Sequence, residues 1–167
     1  MQKLFFVDVC NTLANIIEQL NIRGYRTDIY PCPAPPETYT EELFRSARPI
    51  WPVIDWVKEL PEQGYSLVYL TARPSRFRAV TQEWLDEYGL PKAPLLHTNG
   101  RSKGEVAKIF SLNPKVQIAG ALEDSPQEIR GYIQAVPGIR LYVPEWEYNA
   151  HLSGDGINFL ALRQRTA

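Results

Sequence analysis

At 167 residues the chain is long enough for one domain whose core needs no disulfide or structural metal to hold it together. Its 44% hydrophobic and 22% charged residues are ordinary for a globular protein, and a formal net charge of −1 argues against general binding to a nucleic-acid backbone, which needs a basic face. Two cysteines, Cys10 and Cys32, make no disulfide framework, and the N-terminal apolar run is too short for a signal peptide or a membrane span, so the expected location is the cytoplasm.

In chain order, KLFFVDV (3–9) is a continuous apolar run, as expected of a strand buried on both faces in a parallel sheet. Residues 14–48 break the rhythm. PCPAPPETY packs four prolines into residues 31–36, a stiff loop, and a short helix from about Glu37 to Ala47 follows. Residues 50–63 place Ile50, Val53, Ile54, Val57 and Leu60 at helical spacing, with Gly64 as the C-terminal cap. YSLVYLT (65–71) is the second strand, and residues 75–88 form a helix from an N-cap at Ser75 to the stop YGLP. APLLHT (93–98), a helix over 102–110, VQIAGALED (116–124), a helix over 126–135 and IRLYVP (139–144) complete the series. Strand and helix alternating in this way predict an α/β, doubly wound, Rossmann-like parallel sheet with helices on both faces and right-handed crossovers. Residues 1–167 read as a single domain, with 14–48 a small flap or cap inserted after the first strand, where a lid over a site would attach.

Open parallel sheets bind ligands beyond the carboxyl ends of their strands. The polar residues expected on that rim are Asp8, Cys10, Asn11 and Thr12, then Thr71, Ala72 and Arg73, then Lys103 at a helix start, then Glu123, Asp124 and Ser125. Three converging carboxylates repel one another unless a cation neutralises them, and all-oxygen ligation suits Mg2+. A lysine and a threonine hydroxyl beside them can hold an anion such as phosphate, and backbone N–H groups after Asp8 can add donors. An aspartate attacking phosphorus forms an aspartyl-phosphate that water then splits. Taken singly, Asp8 could be an Asx turn, Lys103 a surface lysine and Glu123 a helix cap; their common rim favours Mg2+-assisted phosphoryl transfer. Arg73 is a candidate substrate contact. Trp146 and Tyr148 follow the fifth strand, where an aromatic could stack on a base, His97 and His151 read as structural, and Cys32 could meet Cys10 if the proline loop folds over the site.

These segments resemble, in order, the four signature motifs of the haloacid dehalogenase (HAD) superfamily. FFVDVCNT is similar to the first, Asp-x-Asp-x-Thr after a hydrophobic strand; LVYLTARP to the second; Lys103 in NGRSKGEVAKI to the third; and IAGALEDSPQEI to the fourth, in its Glu-Asp form. The resemblance implies a phosphatase with Asp8 as nucleophile and Thr71 and Lys103 as phosphate ligands, joined by Asn11, Ala72 and Arg73 from the same loops. It also implies Mg2+ held by Asp8, the backbone carbonyl of Cys10, Asp124 and Glu123. Cys10 departs from the pattern, because it stands where the family has its general acid/base aspartate. That substitution spares the metal contact and bears on proton transfer alone, a step worth roughly 10²–10⁴ in rate. The approach to the second motif, PIWPVIDWVKELPEQGYSLVYLTARP, and the later VPEWEYNAHL resemble the 5′(3′)-deoxyribonucleotidase and polynucleotide phosphatase-like branches. A small phosphorylated substrate, foremost a nucleotide, is therefore expected. The alternatives are a 3′-phosphorylated nucleic-acid end and a catalytically weakened or silent phosphate-binding protein.

Overall fold

Side chains of β1 (Gln2–Val7) alternate between two cores: Leu4 and Phe6 face one, Phe5 and Val7 the other, the period of two of an extended chain, and all four are buried. A strand apolar on both faces belongs in the middle of a covered sheet, and the computed structural model, which describes residues 1–162, places it there. After β1 come β2 (Ala14–Asn15), α1 (Ile16–Ile22), α2 (Glu41–Ser46) and β3 (Arg48–Pro49), with β3 paired antiparallel to β2. Then α3 (Trp51–Glu59) leads to β4 (Tyr65–Thr71), α4 (Arg78–Glu87) to β5 (Leu95–His97), α5 (Lys103–Ser111) to β6 (Val116–Leu122) and α6 (Pro126–Ala135) to β7 (Leu141–Pro144). A helix-free connection then reaches β8 (Ile157–Leu160).

The main sheet has the order β5-β4-β1-β6-β7-β8 and every neighbouring pair is parallel. Val53, Ile54 and Val57 of α3 and Val80, Trp84 and Leu85 of α4 share the core of Phe5 and Val7; Ala107 of α5 and Ile129 and Tyr132 of α6 share that of Leu4 and Phe6. This is the expected doubly wound α/β architecture. The winding reverses between β1 and β6, so a crevice opens beyond their carboxyl ends. The Asp8 N–H donates to the Leu122 carbonyl at 3.0 Å, which holds the two strand ends in register where the crevice begins.

Several boundaries differ from expectation for local reasons. The Glu37–Ala47 helix is divided: Pro36–Thr38 makes a single 3-10 turn, and α2 starts only at Glu41, where the Thr40 hydroxyl accepts from the Leu43 N–H at 3.2 Å. Ser75 is no N-cap; Ser75–Phe77 is a 3-10 turn that hands over to α4 at Arg78. The helix over 50–63 ends at Glu59, and Gly64 closes the turn after it with φ of +85°, a conformation natural to glycine. Four elements, β2, α1, β3 and β8, were not foreseen. α1 is capped by Asn15, whose side chain accepts from the Glu18 N–H at 3.0 Å, and β8 extends the sheet edge. Residues 14–48 are tied to the main body through Leu43 and Phe44 in the α3/α4 core and through the Trp84 indole N–H, which donates to the Ala47 carbonyl at 2.8 Å. Among the described residues no helix is long and apolar enough to cross a membrane.

Candidate active site

Asp8 follows the last residue of β1, and Glu123 and Asp124 follow the last residue of β6; the pairing of these two strands brings the three carboxylates within 4.8 Å of one another. All three are buried. Lys103, the first residue of α5, reaches across from the side of β5: its Nζ bonds Asp8 Oδ1 and also Glu123 Oε2, the latter at 2.5 Å. A capping box between Ser102 and Glu105 fixes the start of α5, so the lysine is aimed by backbone geometry. The Thr12 hydroxyl donates to Asp8 Oδ2 at 2.8 Å and lies 3.4 Å from Asp124 Oδ1. Glu123 Oε1 accepts from the Ser125 N–H at 3.0 Å.

Three carboxylates against one ammonium leave two negative charges uncompensated when all are ionised. The electrostatics follow. Burial, and then Asp8, raise the Glu123 carboxyl to about 7 in spite of Lys103. Burial, Asp8 and Glu123 together hold Asp124 well above the usual carboxylate range. Burial disfavours the charge on Lys103, but Asp8 and Glu123 outweigh it and lift its pKa well above the ordinary lysine value. A buried, acid-rich, all-oxygen cluster with excess negative charge fits a hard divalent cation such as Mg2+.

On the other side of Asp8, the half-buried Cys10 thiol meets Arg73. The Arg73 Nε–H donates to Cys10 Sγ at 3.0 Å and an Nη1–H to the Thr81 hydroxyl at 3.0 Å, while the guanidinium carbon lies 4.0 Å from the centre of the Phe44 ring. Burial pushes the Cys10 thiol up, against the pull of Arg73. The Thr71 hydroxyl is buried and accepts from the Arg73 N–H at 3.1 Å. His97 Nδ1 sits 2.7 Å from the Arg73 carbonyl and steadies that loop. Asn11 takes a left-handed φ of 57° and its side-chain oxygen accepts from the Ile17 N–H at 2.9 Å, turning the chain from β1 towards α1.

Most of the residues expected on the rim therefore share one place. Asp8, Cys10, Asn11, Thr71, Ala72, Arg73, Lys103, Glu123 and Asp124 line a single cavity of about 100 Å³, with Tyr30 of the 14–48 segment beside them. A larger, mostly apolar cavity of about 390 Å³ adjoins it beneath that segment, and Cys32 lies in its wall as Cys10 does. The roles of three further residues were missed. The Tyr148 hydroxyl donates to Asp124 Oδ2, the Asn149 amide donates to the Asp124 carbonyl at 3.0 Å, and the Trp146 indole N–H donates to the Asn11 carbonyl at 2.6 Å. The signal was their polar atoms, close after β7; the sequence reading attended to the aromatic faces instead.

Asp8 at the end of the central strand, answered by Lys103 and by the acidic pair after β6, is the arrangement that the HAD resemblance implies, and the sheet that carries it is HAD-like in fold. More narrowly, residues 44–127, about half of the chain, match the family model for the LNS2 domain of PITM 1-3, and the chain belongs to that family. It is similar to a Bacillus cereus protein provisionally named a nucleotidase, with 27% identity over 113 residues, covering 68% of this chain and 57% of that protein. The chain thus spans little more than half the length of this curated relative. Among solved structures, a D,D-heptose bisphosphate phosphatase from B. bronchiseptica, complexed with magnesium and phosphate, matches with a TM-score of 0.62 at 10% identity, over 95% of this chain and 92% of that one. A chain of the Pnkp1/Rnl/Hen1 complex matches with a TM-score of 0.60 at 19% identity, over 86% and 46%. At such identities the likeness is one of fold.

Proposed function

We propose that this chain hydrolyses phosphate monoesters through a phospho-enzyme on Asp8, with Mg2+ as cofactor and nucleotides as the substrate class. The observation that carries the reading is the position of Asp8, buried between the Lys103 ammonium and the Thr12 hydroxyl and within 4.8 Å of Glu123 and Asp124. Lys103 bonds one oxygen of Asp8 and Thr12 the other, which orients the carboxylate for attack on phosphorus. Asp8, Asp124 and the Cys10 carbonyl, with Glu123 beside them, would hold Mg2+, which when bound neutralises the carboxylates and the phosphate oxygens. Thr71 and Lys103, with Asn11, Ala72 and Arg73 around them, bind the phosphate. Glu123, both of whose oxygens are engaged by Lys103 and Ser125, principally holds the lysine in place.

Cys10 takes the acid/base position. A thiol raised by burial stays protonated at neutral pH, so it can give a proton to the leaving oxygen, but it is a poor base for activating water in the second step. Slower turnover follows, limited by loss of phosphate from Asp8. The 14–48 segment acts as the lid, and the aromatic wall of the larger cavity (Tyr30, Tyr39, Phe44 and Phe77) has room for a base. The B. cereus relative's name agrees with that substrate class.

The test is phosphate release from an aryl phosphate, from mononucleotides and from 3′-phosphorylated oligonucleotides, with Mg2+ and with a chelator. Turnover should need Mg2+, vanish in Asp8→Asn, and run faster on mononucleotides than on oligonucleotides. Preference for oligonucleotide ends would move the substrate class. Stabilisation of the fold by phosphate or Mg2+ without any turnover would make the chain a binding protein instead.

A further inference from the structure

Arg73 is a buried cation, 4% exposed, and among the described residues no carboxylate lies within ion-pair distance of it. Its neighbours are a thiol, a hydroxyl and an aromatic ring, and Nη2 is buried with no acceptor at all. A guanidinium buried without an anion gives up its hydration for no opposite charge, so the position calls for a negative charge that arrives with a ligand. The two cavities say where that charge would sit. Asp8, Thr71, Lys103, Glu123 and Asp124 line only the small polar cavity, whereas Phe44, Phe77, Tyr39 and Cys32 line only the larger apolar one. Cys10, Asn11, Tyr30, Ala72 and Arg73 line both, and so form the neck between them.

We propose that the larger cavity holds the leaving group of the ester, and that Arg73, at the neck, supplies the positive charge against which the leaving oxygen develops its negative charge. The inference rests on the phosphatase reading above. A phosphate seated against Asp8 with its organic part under the lid puts the bridging oxygen at the neck, beside Arg73 and Cys10. When Asp8 attacks, the new bond is Asp8 oxygen to phosphorus; the bond that breaks is phosphorus to the bridging oxygen, which departs with the electron pair. The usual remedy for that charge is a proton from a carboxylic acid, and here a thiol occupies the place. A guanidinium is permanently charged and already aimed, so it stabilises the oxyanion without moving a proton. It also orients the thiol: Nε–H occupies a sulfur lone pair, which leaves the S–H to point elsewhere. The oxyanion then takes its proton from Cys10 or from water as it leaves.

The experiment is a series of phosphate monoesters whose leaving alcohols range from 4-nitrophenol through phenol to an alkyl alcohol, assayed with Mg2+ on the native chain, Asp8→Asn, Arg73→Met and Arg73→Lys. The native rate should depend weakly on leaving-group acidity. Arg73→Met should lose about a hundredfold or more on the alkyl ester but less than about tenfold on 4-nitrophenyl phosphate, a steepening expected when a stabilising charge is removed from the transition state. Arg73→Lys keeps a charge within the same walls and covers the case in which the methionine variant does not fold; its losses should follow the same order. Uniform loss across the series in either variant, with Asp8→Asn still inactive, overturns the role of Arg73 and leaves the phosphatase reading standing. No Mg2+-dependent turnover of any ester by the native chain overturns both.

Discussion

Single side chains decide how well this site runs, and Cys10 is the first of them. A carboxyl in its place would face the Arg73 Nε–H that now ends on sulfur at 3.0 Å, and would serve both as proton donor to the leaving oxygen and as base for the attacking water. Cys10→Asp should therefore raise steady-state turnover of alkyl phosphates tenfold or more, at the low end of what positioned proton transfer is worth; unchanged turnover in a well-folded variant would mean that the thiol was never the weak step. Tyr148 acts on the other side. Burial, and then Asp124, hold its hydroxyl far above the usual tyrosine value, so it remains a donor and fixes one oxygen of Asp124 while the other faces Thr12 and the cluster. Tyr148→Phe should weaken Mg2+ affinity roughly 10–100-fold, the usual cost of losing a group that orients a metal ligand. A Mg2+ titration of activity would read this as a shift in the half-saturating concentration with kcat nearly unchanged at saturation; an equal loss of kcat would instead place Tyr148 against the substrate.

At the scale of elements, the site depends on how closely α5 approaches α6, because α5 carries Lys103. A Cβ on Gly104 would come within 2.2 Å of the Gly131 carbonyl oxygen, a backbone atom that cannot step aside, whereas a Cβ on Gly131 would meet nothing nearer than 3.9 Å. Gly104→Ala should thus destabilise by about 1–3 kcal/mol, the usual range for overpacking, and lower Tm by several degrees. Gly131→Ala should leave Tm unchanged or raise it slightly, since alanine is the better helix former. Equal shifts in the two variants would refute the close approach. The same scale shows what the sequence could reveal. All five expected strands are present and in place, because runs such as LFFV and LVYL are apolar on both faces and only a central strand is buried on both sides. β8 escaped notice because it is a short, half-exposed edge, and β2, α1 and β3 because they are short elements in a section dominated by its prolines. Most of the residues expected on the rim line one cavity, since each lies in a loop that follows a strand or at the start of the next helix, and topology does the rest. The partners of Asp124 and Asn11, Tyr148 and Trp146, lie 24 and 135 residues away along the chain, a separation over which no local pattern reports a contact.

For the whole molecule, the consequence of the buried trio is that metal-free stability should fall as pH rises through neutrality, the opposite of what salt-bridged carboxylates ordinarily do. Glu123 has a folded-state value of about 7 against 4.5 for an unperturbed glutamate, and Asp124 moves in the same direction. Between those values the folded chain binds more protons than the unfolded one, so its stability declines from about pH 5 to above pH 7 and then levels off. Lys103, raised rather than lowered, keeps its charge across this window and alters stability only in strongly alkaline solution. Mg2+ competes with the same protons. It should add little near pH 5 and most above pH 7, where a concentration a hundred times its Kd is worth about 2.7 kcal/mol, or several degrees in Tm for a chain of this size. Thermal melts between about pH 5 and pH 8, with chelator and with Mg2+, should give two curves that converge in acid and separate with rising pH. If the chelator curve instead rose with pH, Lys103 alone would be sufficient compensation for the three carboxylates, and the electrostatic case for a divalent cation at this site would be lost.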